Sequence, residues 1–145
     1  MRIKFNKEIE FFFKKIFFSQ SYLLKKRLER SIKNNEENEL KFIKNFIPPG
    51  TDSIDIGVYR GVYSFLMSKF SQTVHAFEPN PIIYKDLEKN LLKIIKNIKV
   101  YNYALSDKNE NVELKLPIRN SNFNENNYEE YFEMGKATIH ESNTV

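Results

Sequence analysis

The sequence predicts an α/β fold with a parallel sheet, and three neighbouring stretches carry the prediction. An apolar run over 53–56 stops at Gly57, an amphipathic stretch over about 61–70 follows, and a second apolar run over 73–77 ends at Glu78. This order is typical of a strand, a tight loop, a helix and a parallel strand. Ligands bind outside the carboxyl ends of strands in such sheets, so the two ends predict a ligand site.

The spacing within this site indicates a nucleoside ligand. An acid about 20 residues after the first glycine loop can accept hydrogen bonds from a ribose, and Glu78 follows Gly57 by 21 positions. A dinucleotide site usually has three glycines, whereas this loop has Gly57 and Gly61. Adenosine with an amino-acid tail needs less bare backbone, and Asp55 is expected near the ammonium of that tail. S-adenosylmethionine therefore fits better than NAD, whose oxidoreductases are the alternative class.

Four blocks of sequence, in the right order and at fitting spacings, carry a family resemblance. They are Asp55-Ile56-Gly57-x-x-x-Gly61-x-Tyr63-Ser64, Ala76-Phe77-Glu78-Pro79-Asn80-Pro81, Asn90-Leu91 and Ala104-Leu105-Ser106-Asp107. Together they resemble the FkbM family of S-adenosylmethionine-dependent methyltransferases over roughly residues 40–140. The resemblance implies a partial Rossmann-like class I methyltransferase sheet preceded by N-terminal helices. It also implies O-methylation, with a sugar or small-molecule hydroxyl as the acceptor.

The resemblance places the cofactor at three strand ends. The residues expected to bind S-adenosylmethionine are Asp55, Gly57, Tyr59, Gly61, Glu78, Pro79, Leu105 and Ser106. In the family the last two border the adenine, although a turn closed by Ser106 and Asp107 is an equal alternative. No catalytic base is assigned. No metal site is predicted, because the chain has no Cys and only two separated histidines, His75 and His140.

The first loop departs from the family pattern. The family usually reads D-x-G-A-N, whereas this chain has Val58 and Tyr59 at the Ala and Asn positions. Asn tolerates left-handed backbone angles that a bulky aromatic residue avoids. A second hypothesis follows, in which the chain is a truncated or degenerate non-catalytic member of the same fold that acts as a binding module.

The remaining elements follow from hydrophobic periodicity and turn residues. We expect a helical segment over 1–50 and a partial S-adenosylmethionine-binding domain over 51–145, within one domain overall. Asn80 and Pro81 predict an N-cap and a first helical residue. The elements predicted besides those above are helices over 8–33, 36–46 and 80–95, strands over 98–105 and 112–116 that pair as a hairpin, and a short strand over 137–140.

Two stretches leave alternatives open. The segment over 8–33, predicted to form one long or two short helices, has a Phe-rich stripe that either packs on protein or contacts a membrane surface as a basic, aromatic helix. The stretch over 119–136 is rich in Asn and Glu with scattered aromatic residues. It is either a mobile loop or a loop that contacts the acceptor.

Charge and hydropathy predict the partners and the compartment. The net charge is +4, but 23 Lys and Arg are interleaved with 19 Asp and Glu. This pattern favours a solvated mixed surface, so we expect a small-molecule or glycan acceptor and no nucleic acid. No apolar run approaches the roughly 20 residues of a membrane span, and no secretory leader is recognisable, which predicts a cytoplasmic protein.

The first strand raises a question about completeness. In a doubly wound fold the first strand has neighbours on both sides, yet the sequence after 53–56 offers only the strand over 73–77 as its parallel neighbour. An apolar edge without a neighbour is an aggregation hazard. We therefore expect the chain to be a fragment or a truncated product.

Overall fold

A computed structural model describes residues 19–34, 37–111 and 113–117 of the chain. Helices and parallel strands alternate along the described residues, so the α/β prediction is confirmed. The elements in order are α1 (Gln20–Asn34), a 3₁₀ turn (Asn38–Lys41), α2 (Ile43–Phe46), β1 (Ser53–Ile56), α3 (Val62–Met67), β2 (Val74–Phe77), α4 (Pro81–Asp86), a π-helical segment (Leu87–Leu91), α5 (Leu92–Ile94) and β3 (Ile98–Tyr101).

The sheet has three parallel strands in the order β1-β2-β3. Asp55 pairs with Ala76, which in turn pairs with Val100. Within the described ranges β1 is an edge strand, since β2 is its one hydrogen-bonded neighbour there. All three strands end on the same side, so the loops that follow them share one edge of the sheet.

The helices cover one face of this sheet. On that face Val74 and Ala76 are completely buried, because α1, α3 and the π-helical segment pack there. The core comprises Leu28, Val58, Phe65, Val74, Ala76, Leu87, Leu91, Ile95 and Ile98. A smaller cluster of Leu40, Ile43 and Leu66 joins α2 to α3.

The other face of the sheet is open among the described residues. Ile54 and Ile56 are 59% and 67% exposed. Phe77 stacks on Tyr101 with ring centroids 4.8 Å apart, and His75 stacks on the same ring at 5.9 Å. The apolar pattern of β1 therefore does not mean that the strand is buried on both faces.

Local signals predicted the starts of elements better than their ends. The bounds of β1 and the cap before α4 are confirmed, because the Asn80 side chain accepts a hydrogen bond from the N–H of Ile82 and Pro81 begins the helix. α3 ends at Met67, earlier than predicted. The Ser68 hydroxyl donates to the carbonyl of Phe65 there, which competes with continuation of the helix.

The third strand is also shorter than predicted, ending at Tyr101 instead of residue 105. Pro79 has no N–H to continue the ladder, and the Asn102 amide group donates to the carbonyls of Glu78 and Pro79 at 2.8 and 3.1 Å. The strand that was predicted to pair with β3 as a hairpin is not formed among the described residues 113–117. Of these five residues, Lys115 alone is assigned to an isolated β-bridge.

Several predictions fall outside the described residues. They concern the Phe-rich part of the first helix, Val112, the aromatic stretch over 119–136, the strand over 137–140 and His140. A search of the described helices finds none that is long and apolar enough to cross a membrane.

Candidate functional site

The carboxyl ends of the three strands form one continuous edge. The Gly57 N–H donates to the carbonyl of Phe77 at 2.9 Å, and the Glu78 N–H donates to the carbonyl of Tyr101 at the same distance. These bonds extend the ladder one residue past each strand. They bring the glycine loop, Glu78 and the chain after β3 together, as the strand order requires.

Glu78 joins the glycine loop to the start of α4. Its Oε2 accepts from the backbone N–H of Tyr59 at 2.8 Å, and its Oε1 accepts from the N–H of Asn80 at 2.9 Å. The side chain is only 4% exposed. A buried carboxylate that accepts from two backbone amides is compensated for its desolvation and holds both backbones in place.

Asp55 faces the helices instead of the open edge. Its Oδ2 accepts from the Ser64 hydroxyl of α3 at 2.5 Å, and the residue is 8% exposed. Burial raises the pKa of Asp55, while the hydrogen bonds from Ser64 act in the opposite direction. The expected contact of Asp55 with a cofactor ammonium stays a prediction, and in this structure Ser64 is the group that contacts the carboxylate.

The glycine loop has three residues with positive φ. Gly57 and Gly61 have φ of 80° and 78°, and Tyr59 has φ of 48°. The departure from the family pattern at Tyr59 therefore coincides with the left-handed conformation that Asn would tolerate better. Val58, the other departure, is 5% exposed and belongs to the core.

The two glycines have different surroundings. A Cβ on Gly61 would lie 3.0 and 3.1 Å from the Cδ atoms of Leu91, so Gly61 allows the loop to pack on the π-helical segment. A Cβ on Gly57 would meet no heavy atom within 4 Å. Gly57 therefore leaves open space at the end of β1, whereas Gly61 permits close packing.

Pro79, Leu105 and Ser106 lie after the other two strands. Pro79 is half-buried, and Leu105 is 47% exposed. Ser106 donates to Asp107 Oδ1 at 3.2 Å and accepts from the Lys108 N–H at 3.3 Å. These contacts are those of the local turn that was the alternative to adenine binding, and the adenine role of Leu105 and Ser106 stays a prediction.

A cavity of about 510 Å³ opens in front of Gly57, between the glycine loop and α1. We call it the arginine cavity, after the three arginines among its lining residues. The residues that line it are Arg27, Leu28, Arg30, Ser31, Glu37, Gly57, Val58, Tyr59, Arg60, Val62 and Tyr63. Sequence reasoning missed the two arginines of α1, because nothing in a mixed-charge helix shows which of its cations face the loop.

Other interactions around the site involve residues that were not predicted to bind the cofactor. Asn102 bonds the turn after β2, as described above, and Ser64 bonds Asp55. A hydrogen bond to Glu37 raises the pKa of Tyr63 to about 12. Ser64 stood in the resemblance block, whereas Asn102 carried no signal because its partners are distant in sequence.

His75 does not belong to this edge. Its Nδ1 lies 3.0 Å from the Tyr101 hydroxyl and its Nε2 lies 3.3 Å from Asp52 Oδ2. Both contacts are on the open face of the sheet. Among the described residues no group of three or more His, Cys, Asp or Glu side chains is arranged to hold a metal ion.

Comparisons with known proteins were made by sequence and by structure. No protein-family model matches the chain, and no curated protein matches it by sequence. The crystal structure of 23S rRNA methyltransferase ErmE resembles it with 21% identity and a TM-score of 0.36, over 53% of this chain. The chain spans about a quarter of the length of ErmE, since the match covers 27% of that protein.

The described strands form a partial Rossmann-like parallel sheet, as predicted. The prediction that excludes nucleic acid as a partner is wrong on this finding, because the matched protein is described as an rRNA methyltransferase. The possible membrane contact of the first predicted helix depends on Phe-rich residues that lie outside the described ranges, so it stays a prediction.

Proposed function

We propose that this chain contains the cofactor-binding part of an S-adenosylmethionine-dependent methyltransferase that resembles the FkbM family. The observation that carries the proposal is the junction at Glu78, a buried acid at the end of β2 that holds the glycine loop after β1. Acids at this position in open α/β sheets bind ribose hydroxyls. The open space in front of Gly57 supports the proposal, because a ligand can approach the backbone there.

Glu78 keeps acceptor capacity for a ribose. A carboxylate offers about four lone-pair sites, and the N–H groups of Tyr59 and Asn80 use two of them. Because the side chain is 4% exposed, the loop around Tyr59 has to shift before a ribose reaches it. Leu105 and Ser106 then border the adenine, in keeping with the resemblance.

The proposed reaction is O-methylation of a sugar or small-molecule hydroxyl. The acceptor oxygen forms a bond to the methyl carbon as the sulfur–carbon bond breaks, the sulfonium becomes a neutral thioether, and the hydroxyl proton passes to a base. The cofactor supplies the activated methyl group. The described residues contribute by holding the reacting groups in attack geometry, which is the larger part of catalysis in such a displacement.

Calorimetric titration with S-adenosylhomocysteine, which has no methyl group to transfer, tests the cofactor site. Gly57→Ala adds a methyl group in the open space that the ligand would occupy, so we expect at least tenfold weaker binding than in the natural chain. Gly50→Ala is the matched control, since Gly50 has φ of 77° and equally open surroundings but lies in the turn before β1. Its affinity should not change.

Three results would contradict the cofactor proposal. They are no binding by the folded natural chain, equal loss of affinity in both glycine variants, and displacement of the ligand by NAD. The second hypothesis, a degenerate binding module, is favoured by the positive φ of Tyr59. It predicts that the natural chain does not bind S-adenosylhomocysteine and that Tyr59→Asn restores binding.

A further inference from the structure

The arginine cavity joins two elements that are distant in sequence. Arg27 and Arg30 are three positions apart on α1, so they lie next to each other on one side of the helix. Arg60 comes from the glycine loop and lies over the ring of Tyr59, 5.1 Å from its centroid. Three guanidinium groups therefore line a single cavity whose wall includes Gly57.

These arginines are not paired with acids of the described residues. Within the described part of the chain none of the three forms an ion pair, and Glu37 is the one carboxylate that lines the cavity. The Glu37 side chain is hydrogen-bonded to Tyr63. Three positive charges and one negative charge leave a net charge of +2 on the lining residues. The three arginines are exposed, so their charges are available to attract an anion.

The charge of the cavity discriminates between anionic groups. The amino-acid tail of the proposed cofactor carries a carboxylate and an ammonium, so its net charge is zero. A phosphate monoester carries about −1.5 to −2 at pH 7, which matches the excess in the cavity. Guanidinium groups bind phosphate oxygens through paired N–H donors, a geometry that lysine does not provide.

We propose that the arginine cavity binds a phosphate group of the methyl acceptor through Arg27, Arg30 and Arg60. The inference rests on the proposed function, because it makes the acceptor a phosphorylated small molecule whose hydroxyl faces the methyl group of the cofactor bound at Gly57. The volume of about 510 Å³ suits such a molecule. The cofactor remains at the Glu78 end of the loop and the phosphate at the α1 end.

Inorganic pyrophosphate is the probe. It is titrated calorimetrically, at constant ionic strength, into the full natural chain and into two variants of it. Arg27→Gln with Arg30→Gln should weaken pyrophosphate binding at least tenfold, because each arginine supplies charge-assisted hydrogen bonds. Lys25→Gln with Lys33→Gln is the matched control. It removes two charges from exposed positions of the same helix that do not line the cavity, and we expect less than a twofold change. Thermal unfolding verifies that both variants fold.

The outcomes separate this inference from the proposed function. Pyrophosphate binding that depends on the arginines supports the phosphate site even if S-adenosylhomocysteine fails to bind, in which case only the function is contradicted. No saturable pyrophosphate binding, or equal weakening by the lysine variant, overturns the phosphate site. Competition of pyrophosphate with S-adenosylhomocysteine, lost in the arginine variant, would assign the arginines to the cofactor carboxylate and also overturn it. Tight binding of a short single-stranded RNA without pyrophosphate binding would do the same.

Discussion

The ends of β1 and β2 each carry a buried carboxylate, but different groups hold the two. Asp55 accepts hydrogen bonds from one residue, Ser64, whereas Glu78 accepts from the backbone amides of two residues, Tyr59 and Asn80. Their exposed fractions are similar, 8% and 4%. Asp55 therefore positions a helix, and Glu78 positions the backbone of the loop and of the α4 cap. Because the two acids are buried to a similar extent, the groups that donate to them determine their roles. Glu78 shapes the site itself, and Asp55 supports it by holding α3.

Removal of Glu78 should have the largest effect on stability. In Glu78→Ala the backbone N–H groups of Tyr59 and Asn80 lose their acceptor, so we expect a loss of about 3 kcal/mol in the free energy of unfolding by urea. Asp55→Ala removes an acceptor from Ser64 alone, whose hydroxyl can rotate to another acceptor, and should cost about half as much. Glu110→Ala, at an exposed position, is the control. An equal or larger cost for Asp55→Ala would reverse the comparison.

The loop between the two acids allows a second comparison. Gly57→Ala adds left-handed strain alone and should cost about 1 kcal/mol. Gly61→Ala adds the same strain and a contact of 3.0 Å with the fully buried Leu91, so we expect about 2 kcal/mol. Urea unfolding of both variants measures the difference. Equal costs would show that Leu91 moves aside freely.

The pH dependence of stability should distinguish Asp55 further. Burial raises the folded-state pKa of Asp55 above its ordinary value of 3.8, so the folded protein retains a proton that the unfolded chain has lost. The contribution of this group is complete below 3.8 and declines as the pH rises through the folded-state pKa. Asp55→Asn has no ionisable group at this position, so its stability should not show this decline as the pH rises. Its amide oxygen still accepts a hydrogen bond from Ser64.

Urea midpoints between pH 4 and pH 7 measure this effect, which should be smaller than that of Gly61→Ala. Asp107→Asn, at an exposed position, is the control and should follow the natural chain. Parallel curves for the natural chain and Asp55→Asn would mean that the Ser64 hydrogen bond outweighs burial.

Tyr59→Asn should change stability least. The replacement relieves the left-handed strain of an aromatic residue but removes its contact with Arg60, so we expect a gain of no more than about 0.5 kcal/mol. Replacement of Val58 by Ala in the same variant would confuse the result, because Val58 belongs to the core. A large loss of stability in Tyr59→Asn would show that the Tyr59 side chain holds the loop for Glu78.

Much of the fold could be predicted because several of its elements are specified by a few residues that are adjacent in sequence. The Asn80 and Pro81 pair predicted the cap before α4, and the apolar run that stops at Gly57 predicted β1. The end of β3 could not be predicted in this way. Tyr103 and Leu105 continue the alternating strand pattern past residue 101, but the Asn102 side-chain amide donates to carbonyls that are 24 and 23 positions earlier in the chain. Strand propensity is a weak preference that such contacts override.

The candidate site likewise has features that the sequence predicts and features that depend on tertiary packing. The sequence by itself determined that a glycine loop and an acid end neighbouring strands, since chain order and hydrophobic periodicity suffice for a parallel unit. Only the tertiary structure decided that Glu78 accepts from the Tyr59 amide, that Asp55 turns towards Ser64, and that two arginines of α1 face the loop. The physical reason is that local propensities depend on residues a few positions apart, whereas these hydrogen bonds and charges join groups that meet only when the helices pack on the sheet.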